Sequence, residues 1–168
     1  MKGSKEKSMP DVLDSAQLVR IEAVHRGFLY QHLYAVGCLL LAQKASVETV
    51  TVELDEDIEL NSRQERIYVQ VKTRLKPIIP SDVFDALARF AELRNEHTDG
   101  RRQESASFVI VANQAPGPHL QKMIEDKRLP ADVRFIWPQS TAERHPALPP
   151  AWDTVADAAA WCIAHQSR

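Results

Sequence analysis

Two short segments of this chain carry side chains whose types and spacing suit metal-assisted cleavage of a phosphodiester. In Tyr68-Val69-Gln70-Val71-Lys72 a strand's alternation puts Gln70 and Lys72 on one face and Val69 and Val71 on the other. The same rule applied upstream puts Asp57 and Glu59 together, with Ile58 and Leu60 opposite. If the two segments pair as a hairpin, a carboxylate, an amide oxygen and an ammonium converge. A hard divalent cation, Mg²⁺ or Mn²⁺, takes one or two carboxylates plus carbonyl oxygens and waters. Asp57, the Gln70 side-chain oxygen and the backbone carbonyl of Val71 would supply such ligands. Lys72 would orient or help deprotonate the attacking water and stabilise charge on the phosphate. The plain alternative is the solvated face of an exposed hairpin.

The elements that must hold these residues follow from periodicity. A helix is predicted over 16–43, with Leu29, Leu33, Val36 and Leu40 as its apolar face and Gly27 as a point where it could divide. A β-branched stretch containing Val47, Val50, Val52 and Leu54 precedes the acidic segment, where Asp55 and Glu56 read as solvated turn residues. With the strand over 66–72 this makes an antiparallel meander. Ser81 or Asp82 is the expected cap of a helix bearing Val83, Phe84, Leu87, Phe90 and Leu93, which Asp99-Gly100 ends. The apolar run 106–112 suits a strand covered on both faces. A helix over 118–126, a strand over 133–137, a proline-rich connector over 138–150 and a helix over 153–166 complete the order α-β-β-β-α-β-α-β-α, an α/β sandwich around a mixed sheet.

Composition bounds the class. The 168 residues carry 21 Lys+Arg against 23 Asp+Glu, a formal net charge of -2. A protein bound to nucleic acid by bulk charge would be basic, so a constitutive polycationic binder is excluded, while an enzyme that touches nucleic acid locally is not. Five of the acids, Glu53, Asp55, Glu56, Asp57 and Glu59, fall within one short segment, where a bound cation would offset them. Lysines near the N-terminus are followed by Pro10, Asp11 and Asp14 rather than an apolar core, and no uncharged run is long enough to span a bilayer, so a cytoplasmic location is expected. Cys38 and Cys162 lie on apolar helix faces and read as buried free thiols. The six histidines show no metal-ligand or general-base spacing. Trp137, Trp152 and Trp161 are expected to fasten the last strand and helix to the sheet.

The succession of a helix carrying Arg26-Gly27-Phe28-Leu29-Tyr30-Gln31, the strand Val-Glu-Leu-Asp-Glu-Asp-Ile-Glu-Leu, then Tyr-Val-Gln-Val-Lys, a helix and an apolar strand resembles the PD-(D/E)xK nuclease superfamily. Its core is αβββαβ, and the Gln in the variable acid position resembles the Mrr-type variant. Closer still is the Cap4-type double-stranded DNA endonuclease domain of bacterial antiphage effectors. The resemblance implies a restriction-endonuclease-like α/β fold with a mixed central sheet flanked by helices, and Mg²⁺-dependent hydrolysis of double-stranded DNA. It makes Asp57, Gln70 and Lys72 catalytic, with Glu22, Gln31 and Glu53 as auxiliary residues. It further implies a sensor or STAND/NACHT-type ATPase partner, assembly into homo-oligomers on activation, and no membrane association. Arg74, Lys76, Arg101 and Arg102 are expected to grip phosphates. The division expected is a lead-in over 1–14, a nuclease core over 15–137 and a connector with a C-terminal helix over 138–168. Two other readings stay open: an inactive nuclease-fold oligomerisation or nucleic-acid-binding module, and a metal-dependent RNase.

Overall fold

A five-stranded mixed sheet organises the chain, seen in a computed structural model that describes residues 14–166. The lead-in expected over 1–14 falls, but for Asp14, outside the described residues. Helix α1 (Ser15–Ala42) leads through a 3₁₀ turn into β1 (Thr49–Val52), β2 (Ile58–Asn61) and β3 (Glu65–Lys72), which pair antiparallel in that order. Helix α2 (Pro80–Thr98) crosses over to β4 (Ser105–Ala112), parallel to β3, and α3 (Pro118–Glu125) crosses to β5 (Val133–Ile136), parallel to β4. Helix α4 (Val155–Ala164) closes the chain against α1. The expected meander, order of elements and restriction-endonuclease-like α/β architecture are all present.

From Phe108 onward strand β4 is apolar because it has no wet face there. Val109 and Val111 enter the core under α1 and α4, while Phe108, Ile110 and Ala112 enter the one under α2 and α3. Each large apolar side chain removed from water in this way contributes about 1.5–3 kcal/mol.

Helix α1 corrects the expected apolar face. Leu29 and Val36 are exposed, and the buried stripe is Tyr30, Tyr34, Cys38 and Ala42, one helical turn apart. Apolar residues surround this helix, so periodicity alone offers two faces; the tyrosines win because their hydroxyls find backbone partners. Tyr34 donates to the Pro149 carbonyl at 2.9 Å, and the Tyr30 hydroxyl both donates to the Trp152 carbonyl and accepts from the Trp152 N–H, each at 2.9 Å. Trp152 packs edge-on against both rings. This is how the end of the connector is fastened to α1, and both cysteines are buried free thiols. Gly27 does not divide the helix: a Cβ there would lie 3.0 Å from Thr73 Oγ1, so the glycine lets α1 approach the end of β3.

Three smaller expectations also change. Leu54 is exposed, because β1 stops at Val52. Phe84 is exposed and Ala86 takes the inner position on α2 beside Val83, Phe90 and Leu93. Helix α2 begins at Pro80, whose missing N–H costs nothing there, and Asp82 caps from inside the first turn by accepting the Ile79 N–H at 2.9 Å. Gly100, at φ 76°, ends the turn that follows α2, as expected of Asp99-Gly100. Among the described residues, no helix is long and apolar enough to cross a membrane.

Replacing Tyr30 with Phe strands both backbone groups of Trp152 in a buried site. The expected loss is about 1–3 kcal/mol, read as a lower urea midpoint at unchanged slope; an unchanged midpoint would show that the hydroxyl anchors nothing.

Candidate active site

The β2–β3 register pairs Ile58 with Val69, which sets Asp57 opposite Gln70 at the mouth of the hairpin. Asp57 Oδ2 accepts the Val71 N–H at 2.7 Å and a hydrogen bond from the Gln70 amide. Its other oxygen takes no hydrogen bond from the described residues. Val71 therefore meets Asp57 through its N–H. Lys72 follows on the Gln70 face and forms no ion pair among the described residues. From α1, the buried Gln31 points its amide at the Asp57 carbonyl, 3.5 Å away, and the same carbonyl accepts the Glu53 N–H at 3.1 Å. Glu53 holds the left-handed φ of 55° that this tight turn requires, with its side chain exposed.

Asp57, Gln70, Val71 and Lys72 line one groove of about 830 Å³, together with Gln31, Arg74 and Lys76. Glu53 lines a neighbouring depression that shares Asp57 and Gln70. The structure brings these expected residues together, and it takes three others elsewhere. Glu22 pairs with Arg26 one turn along an exposed helix and lines neither space. Arg101 and Arg102 precede β4, whereas the groove lies where β3 and β4 end, so they do not join its rim. Arg101 pairs with Asp99. Arg102 turns inward, donating to Asp55 at 2.6 Å, Glu96 at 2.8 Å and the Tyr68 hydroxyl at 2.9 Å.

The acidic segment is not a solvated turn. Asp55 is forked between Arg102 and Arg89, the latter at 3.2 Å, and its N–H donates to the buried Glu59 at 2.8 Å. Glu56 is buried too, its Oε1 lacking any hydrogen bond and lying 3.7 Å from Arg89 Nε. Burial, then the adjacent Asp57 charge, pushes the Glu56 carboxyl up to about 7, against the pull of Arg89 and Lys72. Burial also raises Asp57, against the Val71 N–H, Gln70 and Lys72.

Asn113 is a groove residue that sequence reasoning missed. Its amide accepts the Arg74 N–H at 2.7 Å and donates to the Arg74 carbonyl at 3.0 Å, while its own N–H donates to the Lys72 carbonyl at 3.2 Å. The end of β4 thereby fixes the segment that follows Lys72. The available signal was position: a polar residue directly after an apolar strand, at the carboxyl end of parallel strands where α/β sites form. The Arg74 guanidinium is spent on Asp82 at 2.8 Å, leaving Lys76 the less encumbered cation of the rim.

The donor set suits a hard cation. Among the described residues no three His, Cys, Asp or Glu side chains gather as a metal cluster. What is present is one carboxylate with an uncommitted oxygen beside an amide. An ion that is satisfied by one or two carboxylates and keeps several waters, as Mg²⁺ does, fits this set; a tetrahedral zinc site does not.

Because the Glu56 carboxyl sits above its ordinary value of 4.5, the folded protein binds a proton there that the unfolded chain releases, so stability falls as pH rises from about 4.5 to about 7. In metal-free buffer, melting temperatures across this window should decline more steeply for the wild type than for Glu56→Gln; parallel curves would remove Glu56 as the cause.

Residues 22–136 match the family model described as Cap4, dsDNA endonuclease domain, a span that holds Asp57, Gln70, Lys72 and Asn113. Among curated proteins and solved structures, nothing matches the chain. With the match covering well over half of its 168 residues, the chain belongs to the Cap4 dsDNA endonuclease domain family and is a DNA nuclease domain.

Proposed function

We propose that this domain is a Mg²⁺- or Mn²⁺-dependent endonuclease of the PD-(D/E)xK type that hydrolyses phosphodiester bonds in double-stranded DNA, with Gln70 in the variable acid position. The observation that carries this reading is the convergence of Asp57, Gln70 and Lys72 on one groove rimmed by Arg74 and Lys76. Asp57, through its uncommitted oxygen, Gln70, through its amide oxygen, and the Val71 carbonyl would hold the cation. When bound, the cation supplies Lewis-acid activation of water and charge neutralisation at the phosphate. Gln70 is ready for this with a turn of its amide, which in the metal-free state donates through Nε2.

Lys72 forms no ion pair among the described residues, so its ammonium is available to orient the attacking water and to stabilise charge that develops on the phosphoryl oxygens. Asn113 holds the backbone beyond it, and Gln31 with the Glu53 turn holds the carbonyl of Asp57; both limit the drift of the catalytic groups. Lys76 supplies phosphate affinity at the rim, and a net charge of -2 over the whole chain keeps unspecific affinity low. That balance supports the further reading of an effector domain in a bacterial antiphage system, brought to DNA by a sensor or STAND/NACHT-type ATPase partner and by clustering into homo-oligomers.

Plasmid and RNA cleavage with Mg²⁺, Mn²⁺ or EDTA tests the reading. Metal-dependent nicking of the plasmid is expected, with RNA left intact and a fall of roughly 10²–10³-fold or more for Lys72→Ala and Asp57→Ala. Equal cutting by Lys72→Ala would overturn the site, and the absence of metal-dependent cutting at high, clustered concentration would overturn the enzyme.

A further inference from the structure

The groove has a second character that phosphate chemistry does not use. Directly after Arg74 stands Leu75, 72% exposed, followed by Lys76, and across the groove α1 presents Val24 and Phe28, both about half exposed. The loop that carries Leu75 is pinned at both ends: Asn113 holds Arg74 through two hydrogen bonds, and Ile78 donates to the Ala115 carbonyl at 3.0 Å while accepting the Gly117 N–H at 2.8 Å. Pro77 stiffens the span between them. Leu75 is thus held on a fixed loop between Arg74, which is paired with Asp82, and Lys76.

Its occupant follows from what lies beside it. Leu75 stands three positions after Lys72, so their Cα atoms are at most about 11 Å apart. A duplex whose phosphate is cut at Lys72 covers Leu75 as well. Lys72 and Lys76, on either side of it in the chain, would take up the backbone there, and the apolar side chain between them would meet the sugar edges and base steps of the minor groove, into which leucine and phenylalanine wedges insert in other duplex-bending proteins.

Building on the dsDNA endonuclease reading, we propose that Leu75, backed by Val24 and Phe28, is an apolar wedge that enters the minor groove beside the scissile phosphate and kinks the duplex. Unstacking is easiest at TA and CA/TG steps and hardest in A-tracts, so the wedge makes cutting depend on local DNA deformability without reading base edges.

The 168-residue chain is assayed on dye-labelled duplexes with a central TA step or an A-tract. Cleavage is followed by gel, and bending by energy transfer in a Lys72→Ala background. For the wild type, faster cutting of the TA duplex is expected. For Leu75→Ala, at least a tenfold lower kcat/KM is expected, with loss of both the bend and the TA preference. Leu75→Met, which keeps an apolar wedge, should retain all three, and Leu39→Ala, an exposed leucine of α1 away from the groove, should match the wild type. Bending and step preference that survive in Leu75→Ala would overturn the wedge while leaving the nuclease reading intact, and would give the apolar lip to a protein partner. No cutting of duplex DNA by the wild type would overturn both.

Discussion

The hydrogen bond from the Val71 N–H to the Asp57 carboxylate is the constraint on which the rest of the site depends. It joins the turn that ends β1 to the last residues of β3, and it is possible only because the β2–β3 register sets Asp57 opposite Gln70. A one-residue slip would send Asp57, Gln70 and Lys72 to the opposite face and put Ile58 and Val69 in their place. The register is not free to slip, since Ile58, Leu60, Ile67 and Val69 are all buried in the same core. Hydrophobic burial on one face of the hairpin therefore specifies the chemistry on the other.

That chemical face is held by charge rather than by apolar packing. Asp55 is shared by Arg89 from α2 and Arg102 from the loop before β4, so the turn carrying Asp57 is tied to two elements remote from it in sequence. Arg102 continues to the Tyr68 hydroxyl, which meets His97 at 2.9 Å, and His97 in turn contacts the Glu104 carbonyl at 2.7 Å. Part-buried ion pairs of this kind add little net stability, because desolvation and solvent screening offset most of the attraction. Their directional bonds define one position for the turn, which a nonpolar core would not. Among the described residues, Glu56 and Glu59 each keep a buried oxygen without a hydrogen bond, so the network is not fully satisfied there, and unsatisfied polar groups cost about 1–3 kcal/mol each. Such a cost beside the groove is tolerable if cation binding relieves the crowding of negative charge.

Much of this was legible before any coordinates, and the reasons it was legible mark where it stops. Strand alternation is local, so the shared face of Asp57, Gln70 and Lys72 and the doubly covered β4 could be read from neighbouring residues. Asp55 and Glu56 were misread because their burial depends on arginines more than thirty residues away, and no local pattern announces them. Arg102 was misread for the same reason: as a loop arginine it looks solvated until its three acceptors are known. On α1 the difficulty was degeneracy, since Leu29 and Tyr30 begin equally good helical stripes, and the choice was made by backbone carbonyls of Pro149 and Trp152 in a connector with no periodicity of its own.

Net charge looks different once the arginines are placed. Arg66, Arg89, Arg94 and Arg102 are committed to carboxylates within the fold, and Arg74 to Asp82, so these five of the 21 cations are spent on internal pairing rather than on a surface field. What the groove offers a polyanion is small and local: Lys72 at its floor and Lys76 at its rim, opposed by the uncommitted oxygen of Asp57. In the proposed metal-bound state a cation at Asp57 would remove that opposition, and two lysines and the cation would then act together on a phosphate. Metal binding and substrate binding are in that case coupled through the same carboxylate. The domain's weak overall charge then limits encounter with DNA, while the chemistry itself stays available wherever a duplex is held in place.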